Sequence, residues 1–214
     1  MNDVEVLQRL CAGAAALGVP LSDVDARRLL LLGDELLDWN RKVNLTALDT
    51  PAQVVTHDLL DSLSVAPFIR GPRVADVGTG GGFPGLPLAL LQPQHQFTLI
   101  DSVAKKLRFV DHAAQVLGLA NVQTLHARVE ALQLPPFDTV VTRAFAPLPR
   151  LLRWVAPLCD ERTCVLAMKG RWPPPPGSDD AGALPPGWQL QQVQPVVVPG
   201  LAAARHILRL SRRA

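Results

Sequence analysis

The stretch RVADVGTGGGFPGLPLALL, residues 73–91, joins a short apolar strand pattern to a glycine-rich loop and then to an apolar helix pattern. Within it, Gly80, Gly82 and Gly85 have the G-x-G-x-x-G spacing of a strand–loop–helix turn that holds a nucleotide-like ligand. Glycine allows the chain to turn sharply and allows a ligand to lie directly against the backbone. The stretch therefore predicts an α/β fold with a ligand site where the first strand ends.

The sequence on either side of this stretch divides into two parts. Three helix patterns fill the first part, and Ser22 has the character of a helix-capping residue at the start of the second. From Arg73 onward, five strand patterns alternate with helix patterns, which is typical of a parallel sheet. Two last strand patterns are joined by a short link and are expected to pair as an antiparallel hairpin. We predict a helical segment over 1–70, packed on a Rossmann-like domain over 71–214 to form a single compact unit.

Asp76 distinguishes between two cofactors that use the same glycine motif. It lies inside the first strand, and its carboxylate would repel the pyrophosphate of NAD but suits the ammonium and sulfonium groups of S-adenosylmethionine. Asp101 ends the second strand roughly 20 residues after the loop, where an acid can accept hydrogen bonds from ribose hydroxyls. A structural alternative is that Asp76 pairs with a helix terminus or backbone amides. The pattern favours the class I S-adenosylmethionine-dependent methyltransferase fold, with a seven-stranded, mostly parallel sheet and an antiparallel last strand. An NAD-dependent oxidoreductase is the rival.

The composition narrows the class of protein. The chain has 214 residues, of which 48% are hydrophobic and 19% charged, so it can bury a full core. Its net charge of +2 neither requires nor excludes nucleic acid. Asp3 and Glu5 argue against a secretion signal, no apolar run approaches the roughly 18 residues of a membrane span, and the three cysteines form no CxxC pair. We expect a cytoplasmic monomer without a membrane partner or a metal.

Eight motifs, in this order, resemble one protein family: WNRKVNLTAL, HDLLDSLSV, DVGTGGGFPGLPLAL, LIDSVAKKLRF, ARVEAL, TRAFAPL, MKG and RHIL. Together they are similar to the glucose-inhibited division protein B family, and the similarity runs from Trp39 to Leu210. The resemblance implies a bacterial methyltransferase that modifies N7 of one guanosine, guanine-527, in 16S ribosomal RNA. It also implies S-adenosylmethionine as cofactor, S-adenosylhomocysteine as product, and 16S rRNA or the small-subunit particle as partner. A methyltransferase acting on another RNA or on a small molecule is the alternative.

The motif and the resemblance together give the candidate cofactor-binding residues. The resemblance places Gly78 and Phe83 in the pocket, Val129 and Glu130 beside the adenine, and Arg143 facing the active site. Relatives often carry Pro and Leu where this chain has Gly81 and Phe83, but Phe83 is still apolar and is expected to pack on the cofactor. The full set is Asp76, Gly78, Gly80, Gly82, Phe83, Asp101, Ser102, Val129, Glu130 and Arg143.

The sequence predicts positioning rather than acid–base catalysis. Guanine N7 carries a lone pair and no proton, so no general base is expected. Arg143 and Lys169 follow strands at the carboxyl edge of the sheet, where they can position the substrate or neutralise a phosphate.

Contact with RNA is expected from a basic rim framed by the helical segment and by the proline-rich loop over 172–187. Trp39 and Asn40 have an alternative interpretation as a core residue and a helix cap. His57 and Asp61, spaced i, i+4, are expected to pair structurally and to order a loop near the pocket. The candidate RNA-binding residues are Asn40, Arg41, Lys42, Asn44, Lys169, Arg205 and His206.

Overall fold

The computed structural model describes residues 3–213, so Met1, Asn2 and Ala214, at the ends of the predicted segments, lie outside the described residues. Ser22 caps the second helix and accepts a hydrogen bond from the backbone N–H of Asp25 at 3.1 Å, as predicted. The first part of the chain is helical throughout. It comprises α1 (Asp3–Ala16), α2 (Asp23–Val43), α3 (Pro51–Val54), a π-helical turn (Val55–Leu60), α4 (Asp61–Leu63) and a 3-10 turn (Ala66–Phe68).

The remaining chain forms one seven-stranded sheet with the order β3-β2-β1-β4-β5-β7-β6. Strands β1 to β5 are parallel, and β7 is antiparallel to both of its neighbours, β5 and β6. The predicted mostly parallel sheet with an antiparallel last strand is confirmed. The strands are β1 (Arg73–Val77), β2 (Gln96–Asp101), β3 (Val122–His126), β4 (Thr139–Arg143), β5 (Cys164–Lys169), β6 (Trp188–Val196) and β7 (Arg205–Arg212).

Helices cover both faces of the sheet. They are α5 (Gly85–Leu91), α6 (Ala104–Val116) and α7 (Leu148–Val155). Side chains alternate along β1, so Val74 faces the core shared with the N-terminal helices, α5 and α6, while Ala75 and Val77 face α7. Val24 lies in the first turn of α2 and Val103 just before α6, and both side chains are exposed rather than part of the core.

Candidate active site

The glycine loop brings the end of β1 close to α5. Gly78 and Gly80 have φ values of +71° and +60°, a conformation that favours glycine. A Cβ at Gly85 would lie 2.7 Å from Asp76 Oδ2 and 2.8 Å from Leu99 Cγ, so no larger residue fits there. At Gly80, by contrast, the nearest atom to such a Cβ is the carbonyl oxygen of Gly78 at 4.0 Å. The loop is therefore closed towards the core and open on the side of Gly80.

Asp76 lies beneath this loop and is completely buried. Its Oδ2 accepts hydrogen bonds from the Thr79 hydroxyl at 2.7 Å and from the Gly85 N–H at 2.8 Å. Its Oδ1 is buried without a hydrogen-bond partner among the residues that the structure describes. Burial raises the pKa of Asp76 to about 6, although these two hydrogen bonds act to lower it. The carboxylate thus has the structural role that the sequence analysis gave as the alternative, pairing with a backbone amide at a helix terminus. Its hydrogen bonds with Thr79 and Gly85 hold the glycine loop against β1.

The raised pKa of Asp76 predicts how stability depends on pH. Because the folded-state pKa is about 6 and the ordinary value is 3.8, the folded chain holds this proton more tightly than the unfolded chain. The free energy of unfolding therefore falls as pH rises between these two values. Asp76→Asn keeps an acceptor for Thr79 and Gly85 but cannot ionise. Between pH 5 and pH 8, urea denaturation should show the wild type losing about 1–2 kcal/mol more than this variant. Parallel pH profiles would contradict this.

A cavity of about 260 Å³, here termed the cofactor cavity, opens beside the loop at the carboxyl ends of β1 and β2. Asp101 closes one side, with Oδ2 accepting from the Gly80 N–H and Oδ1 from the Val103 N–H, both at 2.9 Å. Each carboxylate oxygen can accept a further hydrogen bond, so the cavity suits a ribose diol. Half of the predicted cofactor-binding residues line it: Gly78, Asp101, Ser102, Val129 and Glu130.

The other predicted cofactor residues lie around the cofactor cavity rather than on its wall. Gly80 and Gly82 belong to the loop, and a Cβ at Gly82 would overlap the side chain of Leu86. Phe83 is only 4% exposed and packs in the apolar core, with the Arg143 guanidinium carbon 5.7 Å from its ring centroid.

A second cavity of about 750 Å³, here termed the acceptor cavity, adjoins the first. The π-helical turn and the carboxyl ends of β4 and β5 form its walls. Phe145 lines both cavities and is therefore their shared wall. Six charged side chains line the acceptor cavity, three acidic and three basic: Asp58, Asp61, Asp180, Arg143, Lys169 and Arg205.

The Arg143 side chain connects β4 to the helical segment. It donates to Asp58 Oδ1 and to the His57 carbonyl oxygen, both at 2.7 Å, and to Asp61 Oδ2 at 3.3 Å. Asp61 Oδ1 in turn accepts from Arg205 Nε at 2.9 Å. Burial raises the pKa of Asp58, although the Arg143 guanidinium acts to lower it. Arg143 is thus already neutralised by two carboxylates, which does not fit the sequence-based idea that it neutralises a phosphate.

Lys169 also forms an ion pair and a hydrogen bond within the protein. Its Nζ donates to Asp180 Oδ1 at 2.7 Å and to the Ala146 carbonyl oxygen at 2.8 Å. The same Asp180 oxygen accepts from the Leu148 N–H at 2.6 Å. Only 10% of the Lys169 side chain is exposed. The pair therefore holds the proline-rich loop against the segment that follows β4.

The predicted RNA-binding residues fall into two groups. Lys169 and Arg205 line the acceptor cavity, and the His206 ring is hydrogen-bonded to the Gly170 carbonyl at its edge. The second group lies at the end of α2. There the Asn40 side chain accepts from two backbone N–H groups and donates to two carbonyls of the following loop, so it has the capping role. The outer members of this group, Arg41, Lys42 and Asn44, are exposed.

Two further expectations concern the helical segment. Trp39 packs against the core, with ring centroids 5.8 Å from Phe109 and 4.8 Å from His112, as in the core interpretation. The predicted pairing of His57 with Asp61 is wrong, because Asp61 binds Arg143 and Arg205 instead. The two residues span a π-helical turn, whose wider winding moves i+4 neighbours off a common face.

Residues 3–213 contain neither a cluster of metal-ligating side chains nor a membrane-spanning helix. These residues contain no group of three or more histidine, cysteine, aspartate or glutamate side chains that could hold a metal ion. Within the same range, no helix has the length and apolar character needed to cross a membrane.

Comparison with known proteins identifies the family. A model of the GidB family, described as rRNA small subunit methyltransferase G, matches residues 25–208. The chain belongs to this family. The GidB relative from Azoarcus sp., named ribosomal RNA small subunit methyltransferase G, is 42% identical over 206 residues and 95% of each chain. The protein of the same name from Chromohalobacter salexigens is 46% identical over 204 residues, covering 95% of this chain and 96% of that one. The resemblance seen in the sequence motifs is confirmed.

Solved structures share the fold of this GidB family member at low sequence identity. A putative O-methyltransferase from Klebsiella pneumoniae has a TM-score of 0.59 at 18% identity, covering 94% of each chain. A SAM-dependent methyltransferase from Aquifex aeolicus has a TM-score of 0.57 at 19% identity, covering 78% of this chain and 97% of that one. The predicted class I S-adenosylmethionine-dependent methyltransferase fold is confirmed.

Three residues at the site were not singled out from the sequence. Asp58 is an acid inside an apolar helix pattern, which is a usable signal for a buried ion pair. Phe145 lies two residues after β4, among alanines and prolines, where an aromatic ring at the sheet edge could have been noticed. Asp180 belongs to the proline-rich loop, and nothing in that composition indicates contact with Lys169.

Proposed function

We propose that this protein transfers the methyl group of S-adenosylmethionine to N7 of a guanosine in 16S rRNA. Membership of the GidB family supports the reaction, since its relatives are named ribosomal RNA small subunit methyltransferase G. The observation that carries the proposal is the junction of two cavities at Phe145, beyond the carboxyl ends of β1 and β4. We assign the cavity of about 260 Å³, whose lining includes Asp101 and Glu130, to the adenosine, and the cavity of about 750 Å³ to the nucleotide.

The cofactor cavity fits S-adenosylmethionine better than a dinucleotide. Asp101 presents a carboxylate where ribose hydroxyls can donate to it, and Gly80 leaves bare backbone beside it. At a pH above its raised pKa of about 6, the Asp76 carboxylate beneath the loop is negatively charged, which favours a cationic ligand over a pyrophosphate. We propose that Asp101, Ser102, Val129 and Glu130 contact the adenosyl part. Asp76, Gly80, Gly82 and Phe83 act through the shape of the loop.

Catalysis by this site requires positioning rather than proton transfer. When bound, S-adenosylmethionine supplies a methyl group activated by a sulfonium. The guanine N7 has a free lone pair, so the protein must hold that atom about 3 Å from the methyl carbon and in line with its bond to sulfur. Asp58 and Asp61 are both held in ion pairs by Arg143, and neither is available as a base. The balanced charges of the acceptor cavity tolerate a guanine ring that becomes cationic on methylation.

Contact with the surrounding RNA is assigned to the exposed rim of the acceptor cavity. We propose that Lys42 and Asn44, next to the loop that lines one side, and Arg205 and His206 on the other, contact phosphates or bases. Arg41 is paired with Asp38 on the surface, at 3.3 Å, and can exchange this partner for a phosphate. We also propose that the protein works as a monomer in the cytoplasm, where its RNA substrate or an assembling small subunit is available.

The proposed activity predicts transfer of label to one nucleoside. The purified protein, incubated with methyl-labelled S-adenosylmethionine and 16S rRNA or small subunits from cells lacking the activity, should produce N7-methylguanosine. Nuclease digestion followed by mass spectrometry identifies the modified nucleoside. Label on an exocyclic amine, on a ribose hydroxyl or on no nucleoside would contradict the proposal.

A binding measurement distinguishes the proposed methyltransferase from the alternative, an NAD-dependent oxidoreductase. S-adenosylhomocysteine should raise the melting temperature of the protein, because a ligand that binds only the folded state stabilises it. NAD at the same concentration should leave the melting temperature unchanged. Stabilisation by NAD alone would favour the oxidoreductase.

A further inference from the structure

Phe145 lies where the reacting atoms have to meet. The methyl group must leave the cofactor cavity and the guanine must enter the acceptor cavity, so N7 can be methylated only at their junction. Phe145 lines both cavities there. Among the described residues of the acceptor cavity, it contributes the one phenyl or indole ring.

The Phe145 ring is supported from behind and is half-buried. It packs so closely on Gly78 that a Cβ on that glycine would overlap the ring. Its centroid is 5.6 Å from that of Trp154, with the two ring planes tilted by 59°. An aromatic ring fixed in this way provides a defined surface beside the cofactor, as required for base stacking.

The backbone that carries Phe145 is fixed on both sides. Ala144, just before it, has a φ of +48°, a left-handed conformation that costs a non-glycine residue energy and persists only where its surroundings enforce it. After it, Lys169 Nζ binds the Ala146 carbonyl oxygen, and Asp180 binds the Leu148 N–H. The Lys169–Asp180 pair thus holds the segment in place, and both are positioning residues.

We infer that Phe145 is the stacking platform for the acceptor guanine, held at the junction of the two cavities by Gly78 and by the Lys169–Asp180 pair. This inference rests on the proposed function, because it assigns a contact to the base that is methylated. A purine in the acceptor cavity can reach the methyl group only where the two cavities join, and this ring lies at that junction. Arg143 and Lys169, which line the cavity next to Phe145, are already paired with carboxylates, so stacking is the main interaction that this part of the wall offers to a base.

The test compares three substitutions at this position. Phe145→Ala removes the ring, Phe145→Leu keeps an apolar side chain without a π face, and Phe145→Tyr keeps the ring. Stacking of one base contributes enough that Ala and Leu should each lower kcat/KM for the RNA about 5- to 150-fold. Tyr should restore it to within about 3-fold of the wild type, a rescue that depends on the π face. The affinity for S-adenosylhomocysteine, measured by calorimetry, should stay within about 3-fold for Leu and Tyr, because both keep an apolar side chain on the wall of the cofactor cavity and only the π face that stacks on the base differs.

Two results would overturn the inference. If Phe145→Leu is as active as the wild type, the residue serves only to fill space. If activity falls in proportion to S-adenosylhomocysteine affinity in all variants, the ring acts on the cofactor and not on the guanine. The proposed function fails in a different way, namely when the wild type itself forms no N7-methylguanosine, and then the platform has no guanine to bind. Melting temperatures of the three variants show that each is folded.

Discussion

Arg143→Met should lower the free energy of unfolding by about 3–5 kcal/mol, because it leaves the buried carboxylate of Asp58 without its cation. The side chains of Asp58 and Asp61 are only 9% and 3% exposed, and Arg143 itself is 21% exposed. Asp61 keeps Arg205, but Asp58 loses its ion-pair partner. The measurement is urea denaturation at neutral pH. We further expect the wild-type protein to unfold in one transition, because Arg143 and the shared core join the helical segment to the sheet.

Arg41→Met is the matched control for this substitution. Arg41 also pairs with an aspartate at 3.3 Å, but the two side chains are 78% and 71% exposed. An ion pair in solvent contributes less than about 1 kcal/mol, so this variant should unfold almost like the wild type. If both variants lose the same stability, the Arg143 network is not the link between the helical segment and β4. Two separate transitions would show that the segments fold independently.

Asp101→Ala should raise the dissociation constant for S-adenosylhomocysteine about 100-fold. A hydrogen bond to a charged group contributes about 1.5–3 kcal/mol, and the carboxylate can bind both ribose hydroxyls. The substitution also frees the Gly80 N–H, which Asp101 Oδ2 now holds at 2.9 Å. Isothermal titration calorimetry measures the affinity directly. Methyl transfer at low cofactor concentration should fall by a similar factor.

Two controls separate ribose binding from a general loss of charge. Asp111→Ala removes an exposed acid of α6 that accepts a hydrogen bond from Thr124 and does not line the cofactor cavity, so this variant should bind the ligand normally. An analogue of S-adenosylhomocysteine without ribose hydroxyls should bind the wild type and Asp101→Ala with similar affinity. If Asp101→Ala weakens both ligands equally, the residue acts through the loop and not through the ribose.

Most of the fold was accessible from the sequence because its patterns are local. Ser22 marks a helix start, and the alternation of strand and helix patterns after Arg73 requires a parallel sheet. The glycine motif placed a ligand loop between β1 and α5, where the structure has it. The π-helical turn Val55–Leu60 was missed, because a helix pattern in sequence does not reveal which hydrogen-bond spacing the tertiary contacts select.

The site was predicted less completely, since the charge partners belong to other elements of the fold than the residues they pair with. Arg143 and Lys169 were correctly placed at the sheet edge, yet both meet carboxylates of the protein itself. Lys169 meets Asp180 across the proline-rich loop, and Arg143 meets Asp58 from a helix more than eighty positions earlier in the chain. No local pattern encodes such pairs.

By itself, the sequence determined that a glycine-rich loop joins the first strand to the following helix, and its motifs determined the family. Glycine spacing and periodicity act within a few residues, so they can be read directly. Only the tertiary structure decided what Asp76 does. The close packing of β1 against α5 leaves its carboxylate without solvent and gives it Gly85 as a partner, beneath the loop. Only the structure placed Phe145 between two cavities, because that wall forms where β1 and β4 lie side by side.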